Sequence, residues 1–173
     1  MNSDTALYLG RFQPLPHIGH EKVLKELFRK HQKVIIALGS ANKVGSLEHL
    51  LSVPERREVL ESLLAALKIK NERYEIIAVP DIDCFPKYVN HLESFVPKFD
   101  LVYSGNPIVQ GLFREKGYRV EGLERYFDIS GTKLRELMLV DREYEKYLPK
   151  ACLPFLEKFA IVKRLKKYAK AKD

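Results

Sequence analysis

Short apolar runs alternate with helical patterns along the first two-thirds of this chain. Ala6–Leu9, Val34–Leu38, Ile76–Val79 and Leu101–Tyr103 are apolar at nearly every position. Strands that are hydrophobic on both faces belong in a parallel sheet covered by helices on each side. Between these runs, Val23/Leu27 and Leu24/Phe28 have i,i+4 spacing, and Val59, Leu60, Leu63, Leu64 and Leu67 form a longer apolar stripe. The helix carrying that stripe is predicted to open at Ser52-Val53-Pro54-Glu55. Ser52 is its cap, Glu55 stands at the capping-box position, and Pro54 falls where a missing N–H has no intrahelical partner. The Gly117–Val120 segment supplies a short fifth strand. From about Gly131 onward the chain reads as helical, with a break at Pro149. The alternation predicts an α/β fold: a doubly wound, Rossmann-like, parallel five-stranded sheet flanked by helices, with a helical C-terminus.

Ligands of open α/β sheets bind outside the carboxyl ends of the strands, near the switch in strand order. Gly10–His20, Gly39–Gly45, Pro80–Asp83 and Ser104–Pro107 all follow strands and are expected to line one cleft. The first is the richest. It reads as a strand, a tight turn through Gly10, Arg11, Phe12 and Gln13, and a helix whose first turn carries His17, Gly19 and His20. Spacing of three puts both histidines on one helical face. A helix amino terminus disfavours imidazole protonation while favouring donation to an anion. With Gly10 allowing close backbone approach, Gly19 leaving room beside the helix and Arg11 adding a guanidinium, the segment suits phosphates. An i,i+3 histidine pair is also half a metal site, but no neighbouring Cys, Asp or Glu completes a tetrahedral set, so no metal ligands are assigned. A second loop-to-helix turn, Ile129-Ser130-Gly131-Thr132-Lys133-Leu134-Arg135, offers donors at a helix start and another arginine. Together the two segments point to an enzyme that handles a triphosphate.

Size and charge refine this picture. The 173 residues read as a single domain, 1–173, with 149–173 a basic helical segment. The net charge is +7, yet the last 16 residues alone carry seven basic side chains against one acid, leaving the other 157 nearly neutral. That confinement argues against nucleic acid as a partner and reads as a solvated, peripheral helix face. Residues after Arg164 are expected to be dispensable. Cys84 and Cys152 lack paired spacing, which fits reduced thiols. No basic leader with a long apolar run precedes the first strand, and no apolar stretch approaches the ~20 residues that span a bilayer. A cytoplasmic protein without membrane association is expected.

His17-Ile18-Gly19-His20 resembles the HxGH motif of the nucleotidylyltransferase superfamily, shared more distantly by class I aminoacyl-tRNA synthetases. Ser130-Gly131-Thr132-x-x-Arg135 resembles that superfamily's carboxyl-proximal motif. Within the superfamily the chain is similar to the archaeal nicotinamide-nucleotide adenylyltransferases over roughly residues 6–160. The resemblance includes Gly39-Ser40-Ala41, Glu55-Arg56, Val79-Pro80-Asp81-Ile82 and Val102-Tyr103-Ser104-Gly105-Asn106-Pro107. It implies transfer of adenylate from ATP to nicotinamide mononucleotide, giving NAD and pyrophosphate, with Mg2+ bound through the ATP phosphates. Homo-oligomers are common among such relatives. Transfer to flavin mononucleotide, a phosphopantetheine or a phospho-alcohol is the alternative within the superfamily, and a non-catalytic nucleotide-binding module the alternative outside it.

On this resemblance His17, His20, Arg11 and Arg135 act on the triphosphate. Gly10, Phe12, Gln13, Gly19, Gly105, Asn106, Ser130, Gly131 and Thr132 contact nucleotide, and Asp81, Tyr88 and Tyr103 contact the acceptor. Tyr88 stands where relatives place a tryptophan against the nicotinamide ring; it reads equally as an amphipathic residue on a helix face. Asp81 and Asp83 read either as ribose ligands or as helix caps. Glu55-Arg56 reads as structural. Two residues, Leu15 and Pro16, separate Pro14 from His17 where the family has one, and the family's middle motif is replaced by Val44-Gly45-Ser46 and His49-Leu50-Leu51-Ser52, with Glu48 at a position sometimes basic.

Overall fold

The apolar runs become five parallel strands in a computed structural model that describes residues 2–82, 84–123 and 126–171. Asp83 and the last two residues of the basic tail lie outside the described residues. The strands are β1 (Asn2–Gly10), β2 (His31–Leu38), β3 (Tyr74–Ala78), β4 (Leu101–Ser104) and β5 (Arg119–Gly122), in the order β3-β2-β1-β4-β5. The helices are α1 (Ile18–Lys30), α2 (Val53–Ala66), α3 (Tyr88–Glu93), α4 (Pro107–Glu115), α5 (Gly131–Leu139), α6 (Pro154–Lys158) and α7 (Ile161–Lys170). This is the doubly wound, Rossmann-like fold that the alternation predicts.

The described residues form two compact units, each assembled from separate stretches of sequence. Residues 2–11, 23–42 and 69–123 make the first; 12–22, 43–68 and 126–171 make the second. In the first unit Leu7 lies opposite Ile35 and Val102 in the sheet register. With Ala37, these residues gather Val89 and Leu92 of α3 and Phe113 of α4 into one buried cluster. The intervening positions, Ala6, Tyr8, Val34, Ile36 and Leu38, are buried as well, so the central strands are apolar on both faces. The order places the topological switch at β1, between β2 and β4.

The second unit contains no strand among its described residues. Ser52 caps α2 as predicted: its hydroxyl accepts the Glu55 N–H, and a Glu55 carboxylate oxygen accepts the Ser52 N–H at 2.7 Å. Beyond α5 the helical run is more broken than the sequence suggests. Two short 3-10 turns, Glu145–Tyr147 and Lys150–Cys152, precede α6, and Ala160 in the left-handed region (φ 48) separates α6 from α7. The chain thereby folds back, and α7 packs on both α5 and α6.

That packing corrects the expectation of a peripheral tail. Ile161 and Leu165, four apart on α7, are both 0% exposed. The basic residues occupy the helix's other positions, and Lys166 pairs with Asp141 at 2.5 Å. The helix is therefore amphipathic: its lysines face solvent because its leucine and isoleucine complete a core. Both cysteines are unbridged, and burial pushes the Cys152 thiol up to about 12. No described helix is long and apolar enough to cross a membrane.

Truncating Leu165 to alanine is expected to cost about 2–5 kcal/mol, the scale of emptying a fully buried leucine site. Urea unfolding checks this. A change below about 0.5 kcal/mol would return α7 to the periphery.

Candidate active site

In the second unit, residues 12–22 bring the motif side chains together. His17 stands just before α1 rather than within it, at the cap position: its carbonyl accepts the Glu21 N–H at 3.1 Å. Its ring Nδ1 accepts the Gly19 N–H at 3.1 Å, satisfying one of the helix's orphan donors. The His17 N–H in turn donates to Nδ1 of His20, also at 3.1 Å. The two rings lie with centroids 3.7 Å apart, and Phe12 closes the far side of His20 at 5.0 Å.

These bonds decide the protonation of both imidazoles. Each Nδ1 is an acceptor from a backbone N–H, so each neutral ring carries its proton on Nε2. Protonating Nδ1 would set two donors against each other. Burial acts in the same direction, holding His17 down to about 4; for His20 burial leads, with the neighbouring His17 adding to it. The result is a pair of neutral Nε2–H donors fixed side by side. The helix start, which the sequence reading invoked, contributes by supplying the N–H groups that pin the rings.

Gly19 is required by this arrangement. A Cβ there would lie 2.9 Å from His17 Cε1 and Nδ1, inside the ring's own space. Gly131 is required more strictly. Its Cβ would lie 2.4 Å from the Gln13 carbonyl oxygen, so only glycine lets the α5 turn rest on the Phe12–Gln13 backbone. Ser130 caps α5, accepting the Lys133 N–H at 3.2 Å, and Arg135, half-buried, donates to the Thr132 hydroxyl at 3.0 Å. The two signature segments are thus in direct contact.

Gln13 is used differently from the expectation. Its side chain is buried and both ends are engaged by one residue: Nε2 donates to the Leu51 carbonyl at 2.8 Å and Oε1 accepts the Leu51 N–H at 3.0 Å. The carboxamide mimics a strand partner and clamps the 49–52 segment, so its side chain serves the protein rather than a nucleotide.

The first unit holds the remaining candidates, and several change role. Gly10 ends β1, and its carbonyl accepts the Gly39 N–H at 3.0 Å; Arg11 beside it is exposed. Asp81 neither caps a helix nor stands open. Its carboxylate accepts the Ser40 N–H (3.1 Å) and hydroxyl (2.8 Å), while its backbone exchanges bonds with the Asn42 amide, closing the turn in which Ser40 has φ 53. Tyr88 starts α3 half-buried, its ring edge-on to Phe113 at 6.5 Å, which favours the helix-face reading over a free stacking platform. Tyr103 is corrected outright. It is buried, its hydroxyl lies 2.9 Å from Nε2 of His31, and the other His31 nitrogen lies 2.9 Å from Asp4. Because His31 begins β2, that hydroxyl points toward the amino end of the sheet, away from the ligand-binding edge. Asn106 caps α4 through its side chain, accepting the Ile108 N–H at 3.0 Å, and Gly105 is exposed with open space where a side chain would be.

Two groups without an assigned role in the sequence reading matter here. Leu51 contributes only backbone atoms, which no residue pattern reveals. Arg164 contacts Glu55 and the Leu50 carbonyl from α7; its signal is an arginine amid lysines, since only a guanidinium can meet a carboxylate and a carbonyl at once. Among the described residues no group of three His, Cys, Asp or Glu is placed to hold a metal ion.

Comparison with known proteins shows the family and the fold. The model of the cytidylyltransferase-like family matches residues 7–137. The nicotinamide-nucleotide adenylyltransferase of Thermococcus sibiricus is 36% identical over 165 residues, covering 94% of this chain and 88% of the relative. The enzyme of that name from Archaeoglobus fulgidus is 34% identical over 166 residues, covering 93% and 95%. Among solved structures, a bifunctional NMN adenylyltransferase/ADP ribose pyrophosphatase from Francisella tularensis superposes with a TM-score of 0.79 at 18% identity. It is matched over 95% of this chain and 53% of its own, so the chain spans about half of that protein. A second structure of it, complexed with AMP and Mn ion, gives 0.74 at 20% identity.

Two outcomes are expected from this geometry. A histidine held at a lowered pKa takes up its proton only on unfolding, so stability is intact above about pH 6.5 and falls as the pH drops, toward about 4 for His17, with His20 acting in the same direction. The slope reaches up to about 1.4 kcal/mol per pH unit for each histidine. Denaturation between pH 7 and 5 checks this; an unchanged slope in a His17→Gln/His20→Gln variant would refute it. Gly131→Ala, by forcing a methyl into the Gln13 carbonyl, is expected to separate the two motifs and reduce turnover by about 100-fold; near-normal turnover would show that the turn yields.

Proposed function

The chain belongs to the cytidylyltransferase-like family, in company with archaeal nicotinamide-nucleotide adenylyltransferases, and we propose that it joins ATP to nicotinamide mononucleotide in the cytoplasm, releasing NAD and pyrophosphate. It is a nucleotidyltransferase. The observation that carries the residue-level reading is the contact between the two motifs: the pinned His17–His20 pair follows a backbone on which the Gly131 turn rests.

In such a transfer an oxygen of the acceptor's 5′-phosphate bonds to the α-phosphorus of ATP as the bond to the bridging oxygen on the β-phosphate side breaks. The attacking oxygen is already anionic near neutral pH, so no base must remove a proton. Positioning and charge stabilisation supply the rate. The two Nε2–H groups of His17 and His20 donate to phosphate oxygens and to charge developing on the departing pyrophosphate. Being neutral beforehand, they are donors that require no counter-ion in the empty protein. Arg135, beside the first turn of α5, neutralises phosphate charge, and the α5 start adds backbone donors. Gly10, Arg11 and Gly105 are the first unit's candidates for nucleotide contact. Magnesium enters with the triphosphate, as part of the substrate, and shields its charge. The choice of nicotinamide mononucleotide as acceptor rests on sequence kinship.

A panel of acceptors assayed with ATP and magnesium for pyrophosphate release tests this reading. The highest kcat/KM is expected for nicotinamide mononucleotide, and His20→Ala is expected to lower kcat by about 100-fold or more. Tenfold preference for flavin mononucleotide or a phosphopantetheine would overturn the acceptor; wild-type turnover in the His20 variant would overturn the role of the pair.

A further inference from the structure

The backbone of the 44–52 segment is held at several points. The Gly45 N–H donates to the His49 carbonyl at 2.8 Å, closing a turn in which Gly45 has φ 83. Leu50 and Leu51 are fully buried, and Leu51 is clamped by Gln13. From the opposite side α7 supplies the backing. Arg164 donates through Nη1 to Glu55 Oε1 at 2.6 Å, and through Nη2 to the Leu50 carbonyl and, at 3.4 Å, to Glu55 Oε2. One turn further along, the Tyr168 hydroxyl lies 3.4 Å from where a Gly45 side chain would begin.

We propose that Arg164 is a positioning residue for the adenylyl transfer: it fixes the 45–52 segment, which through Leu51 and Gln13 fixes the backbone that carries His17 and receives the Gly131 turn. The proposal rests on the reading of His17, His20 and Gly131 as the triphosphate site. A guanidinium is suited to the task because its planar fork meets the Glu55 carboxylate and the Leu50 carbonyl together. Lysine at this position reaches one or the other. Glu55 is already committed to the Ser52 cap, so Arg164 joins the start of α2 to the residue next to Leu51. The helix expected to be a dispensable tail thus reaches the phosphate site in three steps: Arg164 to Leu50, Leu51 to Gln13, Gln13 to Gly131.

The test compares Arg164→Met and Arg164→Lys with Lys158→Met. Lys158 pairs with Glu58 on α2, so its loss removes an ion pair of the same unit without touching the segment. Hydrogen exchange in the full chain is read first. Exchange of the Leu51 N–H is expected to speed at least tenfold in Arg164→Met and to be unchanged in Lys158→Met. Steady-state kinetics follow, well below the melting temperatures. Arg164→Met is expected to lower kcat/KM for ATP at least about tenfold, with KM for the acceptor within twofold of wild type and partial recovery in Arg164→Lys. Wild-type exchange at Leu51 in Arg164→Met, or equal kinetic losses in Arg164→Met and Lys158→Met, would overturn the proposal. Should Arg164→Met fail to fold, Arg164→Lys decides alone: full activity with wild-type exchange would overturn it. Exchange requires no turnover, so a wrong acceptor assignment leaves that arm intact.

Discussion

The buried Gln13 carboxamide is fixed by one residue, donating to the Leu51 carbonyl and accepting the Leu51 N–H. Much of the second unit follows from that choice. The carboxamide cannot turn away without leaving polar atoms unpaired in the interior, at about 1–3 kcal/mol each. The Gln13 main chain is therefore held in place, and its carbonyl becomes a floor on which only a glycine can sit. Gly131 occupies that floor, which sets where α5 begins. Phe12, the preceding residue, is held in the left-handed region with its ring against His20. One side chain thus registers two sequence segments more than a hundred residues apart.

The histidine pair shows how backbone N–H groups can fix the tautomer of an imidazole. Gly19 gives the His17 ring its seat, and the same residue's N–H fixes the ring's tautomer. The glycine between the motif histidines is as much a part of the acid–base state of the site as the imidazoles.

What could be read from the residues, and what could not, divides by the range of the interaction. The sheet was legible because a parallel strand buried on both faces leaves an unbroken apolar run, as at Val34–Leu38. The Ser52 box was legible because it closes within four residues. His17 was placed one position too deep in α1, since the boundary depends on which ring nitrogen accepts an N–H. Tyr103 reads as an acceptor contact, yet its hydroxyl lies against His31: alternation tells which face a side chain takes, not which way along the strand its hydroxyl reaches. Gln13 was recognised as part of the loop but not as its clamp, because its partner is a main chain 38 residues on. The second unit's tail misled for a related reason. Counting lysines on α7 measures its outer face, whereas Ile161, Arg164 and Leu165 determine what its inner face holds.

The interleaving of the two units bears on the order in which the protein becomes competent during its synthesis. All five strands precede Leu123, so a ribosome that has not yet released α5 has already delivered the whole sheet. The second unit has no such head start. Its residues 12–22 leave the exit tunnel early, while the helices that enclose them come from the other end of the chain. Until Ile161–Lys170 emerges, the Leu50 carbonyl and Glu55 lack their guanidinium and the signature loop lacks its backing. The nascent chain carries the histidines almost from the start, whereas the helix that brings Arg164 to their unit is the last of the described helices to emerge.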